Sequence, residues 1–310
     1  MVRALRSALA QTLHPIEVIV VVDGRDRETT DAVEAAADSR VIVHVPEKRL
    51  GNADARNMGV GLARARWIAL LDDDDEWLPR KLELQVEAAE KAAVQHPIVS
   101  CRLIARDEVG DRIWPRRYPR ESEPLSEYFF CRRTPFTGEG MVINSAILTS
   151  RELLLRVPFR SGLARHVDPD WLLRAEGEPD VGMVFVDEEE PLVIWHVESD
   201  RTRITNDRNW KESLAWCSAN RNLFTRRSYA AFVLHVVGSA AAGQRETRAF
   251  RALLGEAFRH GTPAAVDLVS HIGNFLLPRE IQLRLARMYD RIAPAGAAKR
   301  HRPAGRREAA

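Results

Sequence analysis

The 310-residue sequence contains few cysteines and no long apolar run. The three cysteines, Cys101, Cys131 and Cys217, lie far apart and form no Cys-x-x-Cys pair. A disulfide framework or a structural zinc site is therefore not expected, and a reducing compartment fits this cysteine usage best. The most apolar stretch, residues 229–242, contains His235 and is too short to cross a bilayer, so we predict a packed helix there.

The sequence also has no excess of charge of one sign, since the net charge at pH 7 is only +2. That charge argues neither for nor against an anionic partner, and we predict no nucleic-acid partner. With 45% hydrophobic and 29% charged residues, the chain has the composition of a soluble globular protein of one large or two ordinary domains. The composition leaves the oligomeric state open.

The two ends of the sequence differ in character. Residues 1–13 carry arginines but no continuous apolar core, which makes a poor secretory signal and predicts an amphipathic helix. Residues 293–310 are basic and rich in small residues, so we predict a disordered tail. We favour a solvated tail on a cytoplasmic protein, with peripheral contact at the inner face of an anionic membrane as the alternative.

Strand-like and helix-like segments alternate along the first hundred residues. Strand-like runs at 16–24, 40–46 and 66–72 alternate with helical patterns at 28–39, 52–65 and 79–93. This order predicts an α/β domain with a mainly parallel sheet flanked by helices. Ligands of such sheets bind beyond the carboxyl ends of the strands, where Asp23 and Asp72–Asp75 are expected.

The pattern changes to helical after about residue 205. Before that point we predict a hairpin around Gly110, a helix capped by Thr149 or Ser150, and a short helix at 168–178 that Asp168 or Asp170 could cap. Residues 181–197 contain two more strand-like runs. The predicted units are therefore an α/β domain at 1–205, a helical region at 206–292 and the tail at 293–310.

Four consecutive aspartates follow the third strand-like run in "ALLDDDDEWLP", residues 69–79. If Asp72 continues the strand, alternation points Asp72 and Asp74 to the same side. Carboxylate oxygens are ligands that Mg²⁺ or Mn²⁺ prefers, and magnesium usually shares its shell with substrate phosphates. The alternative is a solvated acidic loop, but the position at a carboxyl edge favours a binding site.

Three blocks of the sequence together resemble a family 2 glycosyltransferase of the GT-A fold. They are "SALAQTLHPIEVIVVVDG", "GNADARNMGVGLARARWIALLDDDDEWLPRKLELQ" and "FRSGLARHVDPDWLLRA", and they span residues 7–175. The resemblance implies an inverting, metal-dependent transfer of a sugar from a nucleotide-diphosphate sugar to an acceptor hydroxyl. A glycan or lipid-linked acceptor of surface polysaccharide or glycolipid synthesis is the family-level expectation. The helical C-terminal region is much less diagnostic.

The resemblance also implies roles for individual residues in the donor site. Asp23 corresponds to the acid that contacts the nucleotide base, and Arg56 lies in a helix near the nucleotide. Asp72 and Asp74 correspond to the two acids of the DxD motif, the first toward the ribose and the second toward the metal. Because four acids follow one another, the motif can shift by one residue, which brings in Asp73 as a further donor-binding residue.

The resemblance places the catalytic base about a hundred residues further along the chain. Asp168 corresponds to the acid of the family's Glu-Asp motif, although Val167 stands where glutamate is usual, and Asp170 is the second candidate base. His196 is a further candidate metal ligand, with a structural role as its alternative. Arg201, together with its neighbour Arg203, could bind phosphate oxygens in a bidentate manner.

The chain departs from the family pattern at its start, where the family's first strand is lacking. By analogy with a doubly wound sheet, that strand would lie between residues 18–22 and 67–71. Each unpaired buried backbone group costs roughly 1–3 kcal/mol, so we expect that Met1 is not the natural start. Two alternatives follow, a catalytically impaired GT-A-like binding protein and, less favoured, a Mg²⁺-dependent phosphohydrolase.

Overall fold

Short strands and helices alternate through the first two thirds of the chain in the computed structural model. The structure describes residues 1–24, 26–35, 38–108, 110–135, 139–187, 190–197 and 209–292. The strands are β1 (Val18–Val21), β2 (Val41–His44), β3 (Trp67–Ala69), β4 (Glu76–Trp77), β5 (His96–Ser100), β6 (Leu103–Asp107), β7 (Gly110–Trp114), β8 (Leu148–Ser150), β9 (Val181–Phe185) and β10 (Val193–His196). The helices between them are α1 (Val2–Leu9), α2 (Arg27–Glu34), α3 (Asn52–Leu62), α4 (Lys81–Glu90), α5 (Leu125–Phe130), α6 (Arg151–Arg156) and α7 (Val167–Glu176).

The strands form three sheets with mixed pairing. β1 and β2 are a parallel pair, and the other two sheets have the orders β4-β10-β6-β7 and β3-β8-β5-β9. The α/β class is confirmed, but the pairing is more mixed than the mainly parallel sheet we expected. Because the β6–β7 connection is far too short for a crossover, this pair is an antiparallel hairpin at Gly110, as predicted. β8 pairs antiparallel with both β3 and β5.

β1 and β3 lie in different sheets, and no described residue pairs with either of them on the side away from β2 and β8. Both strands are half-buried along their length, whereas β5 is buried throughout. A side chain connects the starts of the two strands, because the Glu17 carboxylate accepts hydrogen bonds from the backbone N–H groups of Arg64 (2.8 Å) and Ala65 (3.2 Å).

Residues 209–292 are mostly helical, as predicted. They contain α8 (Trp210–Ala219), α9 (Arg226–Phe232), a π-helical turn at Val233–Val237, α10 (Gly238–Gly243), α11 (Ala249–His260), α12 (Ala265–Leu276) and α13 (Arg279–Ile292). Tyr128 of α5 and Leu173 of α7 share one hydrophobic core with Trp216 and Phe232 of these helices. The helical region therefore packs directly on the α/β part. Within the described residues, no helix is long and apolar enough to cross a membrane.

The structure shows which residues cap α6 and α7. Ser150 caps α6, because its hydroxyl accepts a hydrogen bond from the backbone N–H of Leu153 at 3.1 Å. The interpretation that Asp168 or Asp170 caps α7 is wrong, since both lie inside the helix and His166, with φ of 60°, occupies the cap position. Both acids are therefore free of a capping role.

Lys81 at the start of α4 is fully buried in the α/β core. Its ammonium group lies 4.1 Å from the centroid of the Trp77 ring and donates a 2.6 Å hydrogen bond to Gln85. Gln85 in turn donates to the carbonyl oxygens of Val99, in β5, and Ala146, in the turn that precedes β8. Burial lowers the pKa of Lys81 to about 7, because the charged form loses its hydration.

We expect Lys81→Met to change how stability depends on pH. The folded-state pKa of about 7 lies below the ordinary value of 10.5, so between these values the unfolded chain binds more protons. The wild-type free energy of unfolding therefore gains a contribution as pH rises through this window, and Lys81→Met removes it. Denaturant unfolding at pH 7 and about pH 10 measures this. Lys91→Met, at an exposed site just beyond the same helix, is the control, and equal slopes for both variants would contradict the assignment.

Candidate active site

The guanidinium group of Arg56 holds together two carboxylates from distant parts of the chain. It donates to Asp72, just beyond β3, at 2.8 Å and to Asp168, in the first turn of α7, at 3.1 Å. Only 12% of the Arg56 side chain is exposed, while Asp72 and Asp168 retain 38% and 27% exposure. The structure thus brings together a predicted donor-site acid, the predicted base and the predicted nucleotide-side arginine.

Asn144 lies against the same group of charges. Its backbone N–H donates to Asp168, and its amide oxygen, in the orientation that satisfies both amide atoms, accepts from Arg56. Burial and the neighbouring Asp72 raise the pKa of Asp168, while Arg56 opposes the rise. The two carboxylates outweigh the burial of Arg56 and raise its pKa. Arg56 therefore stays charged and favours the ionised form of Asp168.

The four aspartates form a turn, and the expectation that Asp72 continues the strand is wrong. β3 ends at Ala69, and the backbone N–H of Asp75 donates to the carbonyl oxygen of Asp72 at 3.2 Å. Strand alternation therefore does not govern which way these side chains point. Asp73 is exposed, and Asp75 is only 1% exposed. Three of the four acids therefore differ in environment: Asp72 is ion-paired, Asp73 is exposed and Asp75 is buried.

Asp75 is a site residue that our sequence analysis did not assign. The Ser145 hydroxyl donates to one of its carboxylate oxygens at 2.5 Å, and the backbone N–H of His196 donates to the other at 3.3 Å. Burial raises the pKa of Asp75 to about 7, with Asp72 and Asp74 adding to the rise and Ser145 opposing it. Asp75 therefore connects the aspartate turn to β10.

Ser145 holds the aspartate turn in place through three hydrogen bonds. Besides donating to Asp75, its hydroxyl accepts the backbone N–H of Asp72 at 3.1 Å, and its carbonyl accepts the indole N–H of Trp77 at 2.8 Å. Asn144 and Ser145 belong to one short 3₁₀ turn that leads into β8. Their only signal in the sequence is a polar pair inside an apolar run, which is too common to identify a site.

Asp23 lies beyond the end of β1 and fixes the start of α3. Its two carboxylate oxygens accept the backbone N–H groups of Leu50 (2.6 Å) and Gly51 (2.9 Å). Arg56 follows Gly51 by five residues, which corresponds to roughly 7.5 Å along the helix axis at 1.5 Å per residue. A cavity of about 560 Å³ lies beside Asp23; its lining residues are Asp23, Gly24, Asp26, Pro46, Glu47 and Arg49. The predicted contact of Asp23 with a nucleotide base stays a prediction.

The predicted metal ligands Asp74 and His196 lie beside the same turn. The backbone carbonyl of Asp74 accepts from Arg3 at 2.9 Å, and the His196 ring lies 2.6 Å from the Glu76 carboxylate. In the part of the chain that the structure describes, no three His, Cys, Asp or Glu side chains are grouped to hold a metal ion. Carboxylates at Asp72 and Asp74 suit Mg²⁺ or Mn²⁺ chemically. They fit an ion shared with a ligand's phosphates better than one held by protein alone.

The remaining predicted residues do not join this group. Asp170, the second candidate base, is fully buried and is surrounded by Arg174 (2.8 Å), Trp216 Nε1 (3.0 Å) and Arg160 (3.2 Å). These contacts favour a structural role in joining α7 to α8, which leaves Asp168 as the better candidate. Arg201 lies in the 198–208 segment, outside the described residues.

Comparisons with known proteins identify the family of this chain. The sequence model of the family described as Glycosyl transferase family 2 matches residues 1–157. The chain therefore belongs to glycosyl transferase family 2. This membership confirms the resemblance drawn from the three sequence blocks.

Two relatives come from polysaccharide synthesis. The succinoglycan biosynthesis protein ExoO of Rhizobium meliloti is 39% identical over 197 residues, 59% of this chain and 56% of that protein. The amylovoran biosynthesis glycosyltransferase AmsB of Erwinia amylovora is 28% identical over 219 residues, 67% of this chain and 69% of AmsB. The matched region thus spans little more than half the length of ExoO.

Other comparisons bear on a shorter region and on the fold. WfaP of Escherichia coli, named UDP-Glc:alpha-D-GlcNAc-diphosphoundecaprenol beta-1,3-glucosyltransferase, is 37% identical over 90 residues, 29% of this chain and 36% of WfaP. The crystal structure of S. aureus TarS 1–349 in complex with UDP-GlcNAc matches with a TM-score of 0.50 at 13% identity, covering 94% of this chain and 76% of that one. The likeness to TarS supports the GT-A fold assignment.

Removing the Ser145 hydroxyl is expected to destabilise the protein. Ser145→Ala leaves the buried Asp75 carboxylate without its shortest hydrogen bond, which we expect to lower the free energy of unfolding by about 1–3 kcal/mol. Denaturant unfolding measures the loss. The matched control is Ser100→Ala, because Ser100 is equally buried and its hydroxyl has no hydrogen-bond partner in the described structure. Equal effects of the two variants would refute a special role for Ser145.

Proposed function

We propose that this chain transfers a sugar from a nucleotide-diphosphate sugar to an acceptor hydroxyl, with inversion and with a divalent metal ion as cofactor. The acceptor we propose is a growing glycan or a lipid-linked sugar of cell-surface polysaccharide or glycolipid synthesis. The names of ExoO, AmsB and WfaP support this substrate class, and the UDP-GlcNAc complex of TarS supports a nucleotide-sugar donor. A cytoplasmic location, with access to the inner face of the membrane, fits such an acceptor.

The observation that carries the proposal is the contact of Arg56 with both Asp72 and Asp168. A transferase needs its donor-binding acid and its base on two walls of one cleft, close enough to act on the same sugar. These acids come from the end of β3 and the start of α7, and one guanidinium group reaches both. Family membership alone would not predict that Arg56 forms this connection.

Asp168 has the properties of the base that accepts the proton of the acceptor hydroxyl. A general base must be ionised to accept a proton and must bind that proton strongly enough to help the transfer. Burial and Asp72 raise the pKa of Asp168 and so increase its basicity, while the charge of Arg56 opposes this rise and favours the ionised form. Its 27% exposed side chain leaves room for an acceptor.

The aspartate turn would hold the departing nucleoside diphosphate through a metal ion. Asp74, with Asp72 beside it, would contribute the carboxylate ligands, and the donor's phosphates would complete the coordination shell. Such an ion stabilises the negative charge that grows on the leaving group. His196 stays a candidate ligand, and its contact with Glu76 would have to be exchanged. The cavity beside Asp23 is the proposed place for the nucleoside.

A catalytically impaired protein of the same fold is the second candidate. The observation that favours it is the separation of β1 and β2 from the β3-β8-β5-β9 sheet. The residues proposed to bind the nucleoside then lie on a two-stranded unit, while the aspartate turn and the base lie on the larger body. Family membership argues against the phosphohydrolase alternative.

Metal-dependent nucleotide binding tests the proposed donor site. We expect UDP, GDP or dTDP to bind more tightly in the presence of Mn²⁺ when titrated by calorimetry. Asp74→Asn should abolish most of this gain, by at least about tenfold in affinity, since changes near a metal site cost roughly 10–100-fold. Asp73→Asn, at the exposed neighbour, should keep it. If Asp73→Asn loses the gain and Asp74→Asn keeps it, the motif is shifted by one residue. If Mn²⁺ does not tighten nucleotide binding by the wild-type protein, the proposed donor site is refuted.

Asp168→Asn tests the proposed base. We expect transfer to fall about 10²–10⁴-fold, the usual contribution of general base catalysis, while the dissociation constant of the donor stays unchanged. Asp170→Asn should instead lower the free energy of unfolding by about 1–3 kcal/mol, because it weakens the hydrogen bonds that the buried carboxylate accepts from Arg174 and Trp216. If Asp168→Asn loses donor binding as well as transfer, Asp168 supports the donor site and the base lies elsewhere.

A further inference from the structure

α12 exposes apolar side chains and buries polar ones. Its fully or nearly buried residues are Asp267, Ser270 and His271. On the solvent side, Val269, Ile272 and Leu276 are 54%, 44% and 74% exposed. Their spacing of three and four residues places them on one face of the helix. Leu268 and Phe275 pack against the core of the helical region, so the exposed stripe is a second apolar face of the same helix.

The polar face of α12 is held in place, so the helix cannot rotate to bury its apolar stripe. Both carboxylate oxygens of Asp267 accept from Arg227, at 2.5 and 3.1 Å, and His235 Nε2 lies 2.8 Å from one of them. His271 Nε2 lies 3.1 Å from the carbonyl oxygen of Phe250. Rotation would break the buried contacts of Asp267 with Arg227 and His235, which is strongly unfavourable, so the packing itself keeps the stripe exposed.

α13 extends the apolar stripe. Ile281, Leu285 and Met288 are exposed at spacings of four and three residues, again on one face. Gln282 connects the two helices, because its amide donates to carbonyl oxygens at the end of α12, including that of Leu277 at 2.8 Å. We call the exposed set the α12–α13 surface; it consists of Val269, Ile272, Leu276, Ile281, Leu285 and Met288.

Basic residues accompany this surface in the sequence. Residues 279–310 contain nine lysines and arginines against three aspartates and glutamates, although the net charge of the whole chain is only +2. Residues 1–278 therefore have a net charge of −4 (37 Lys and Arg against 41 Asp and Glu), and the positive excess lies in and after α13. An apolar helix face combined with arginine and lysine is the composition of helices that lie in the headgroup region of anionic membranes.

We propose that the α12–α13 surface docks onto an anionic phospholipid bilayer. The apolar side chains enter the headgroup region, and the basic residues of 279–310 supply the attraction to lipid phosphates. The inference deepens the proposed function and rests on it in one respect, since a lipid-linked acceptor would lie in the same membrane. A second copy of the chain is the competing occupant, but pairing two such surfaces would bring like charges together, which opposes association.

Vesicle binding by the full-length protein tests this surface directly. We expect sedimentation with phosphatidylglycerol-containing phosphatidylcholine vesicles and little with phosphatidylcholine alone. The triple variant Val269→Gln, Ile272→Gln and Leu276→Gln should bind the vesicles at least about tenfold more weakly than the wild type, because the apolar stripe no longer enters the bilayer. Added salt should weaken wild-type binding, since it screens the basic residues. Leu155→Gln, at an exposed leucine of α6, is the matched control and should bind like the wild type.

Two outcomes would overturn the proposal. The first is equal vesicle binding by the wild type and the triple variant, or none by either. The second is a wild-type dimer in light scattering that the triple variant converts to a monomer, which would assign the surface to a second copy. The vesicle assay contains no donor or acceptor, so its result is independent of the nucleotide titrations. Failure of the docking surface and failure of the proposed sugar transfer can therefore be told apart.

Discussion

The ion pairs of Arg56 with Asp72 and Asp168 are the interaction on which the candidate site depends. Two carboxylates this close to one guanidinium would repel each other without it, and burial makes that repulsion stronger. Removing one partner of a buried pair typically costs about 3–5 kcal/mol, because the other charge stays buried. The contact therefore fixes α3, the aspartate turn and α7 relative to one another.

The aspartate turn has a second support on its inner side. Ser145 contacts the turn at both ends, at the backbone of Asp72 and the side chain of Asp75, and its carbonyl holds Trp77. Beneath Trp77 lies the buried ammonium group of Lys81. Three of the four neighbouring acids have different environments: Asp72 pairs with an arginine, Asp73 faces solvent, and Asp75 is a buried carboxyl with a raised pKa. The crowding of charge is thereby resolved locally.

The sequence predicted what depends on local pattern and missed what depends on pairing between distant segments. Periodicity and turn chemistry predict strands at the β-branched runs, a hairpin at Gly110 and a helical C-terminal region. The structure contains all three. Asn144 and Ser145 reach the site only because β8 pairs with β3, with Leu148 opposite Ala69. No local pattern encodes that register. The orientation of the aspartates was missed because β3 ends before them, which a continuous apolar run conceals.

The separation of β1 from β3 gives α3 a role beyond carrying Arg56. Strands in one sheet are held at a fixed spacing by their ladder, but β1 and β3 share no ladder in the described structure. Asp23 binds the two residues just before α3, Arg56 of α3 binds Asp72, and Glu17 binds the chain just after the helix. Side-chain contacts along one helix thus replace backbone hydrogen bonds in setting the distance between the cavity beside Asp23 and the aspartate turn. Any ligand that spans both would depend on these contacts for its fit.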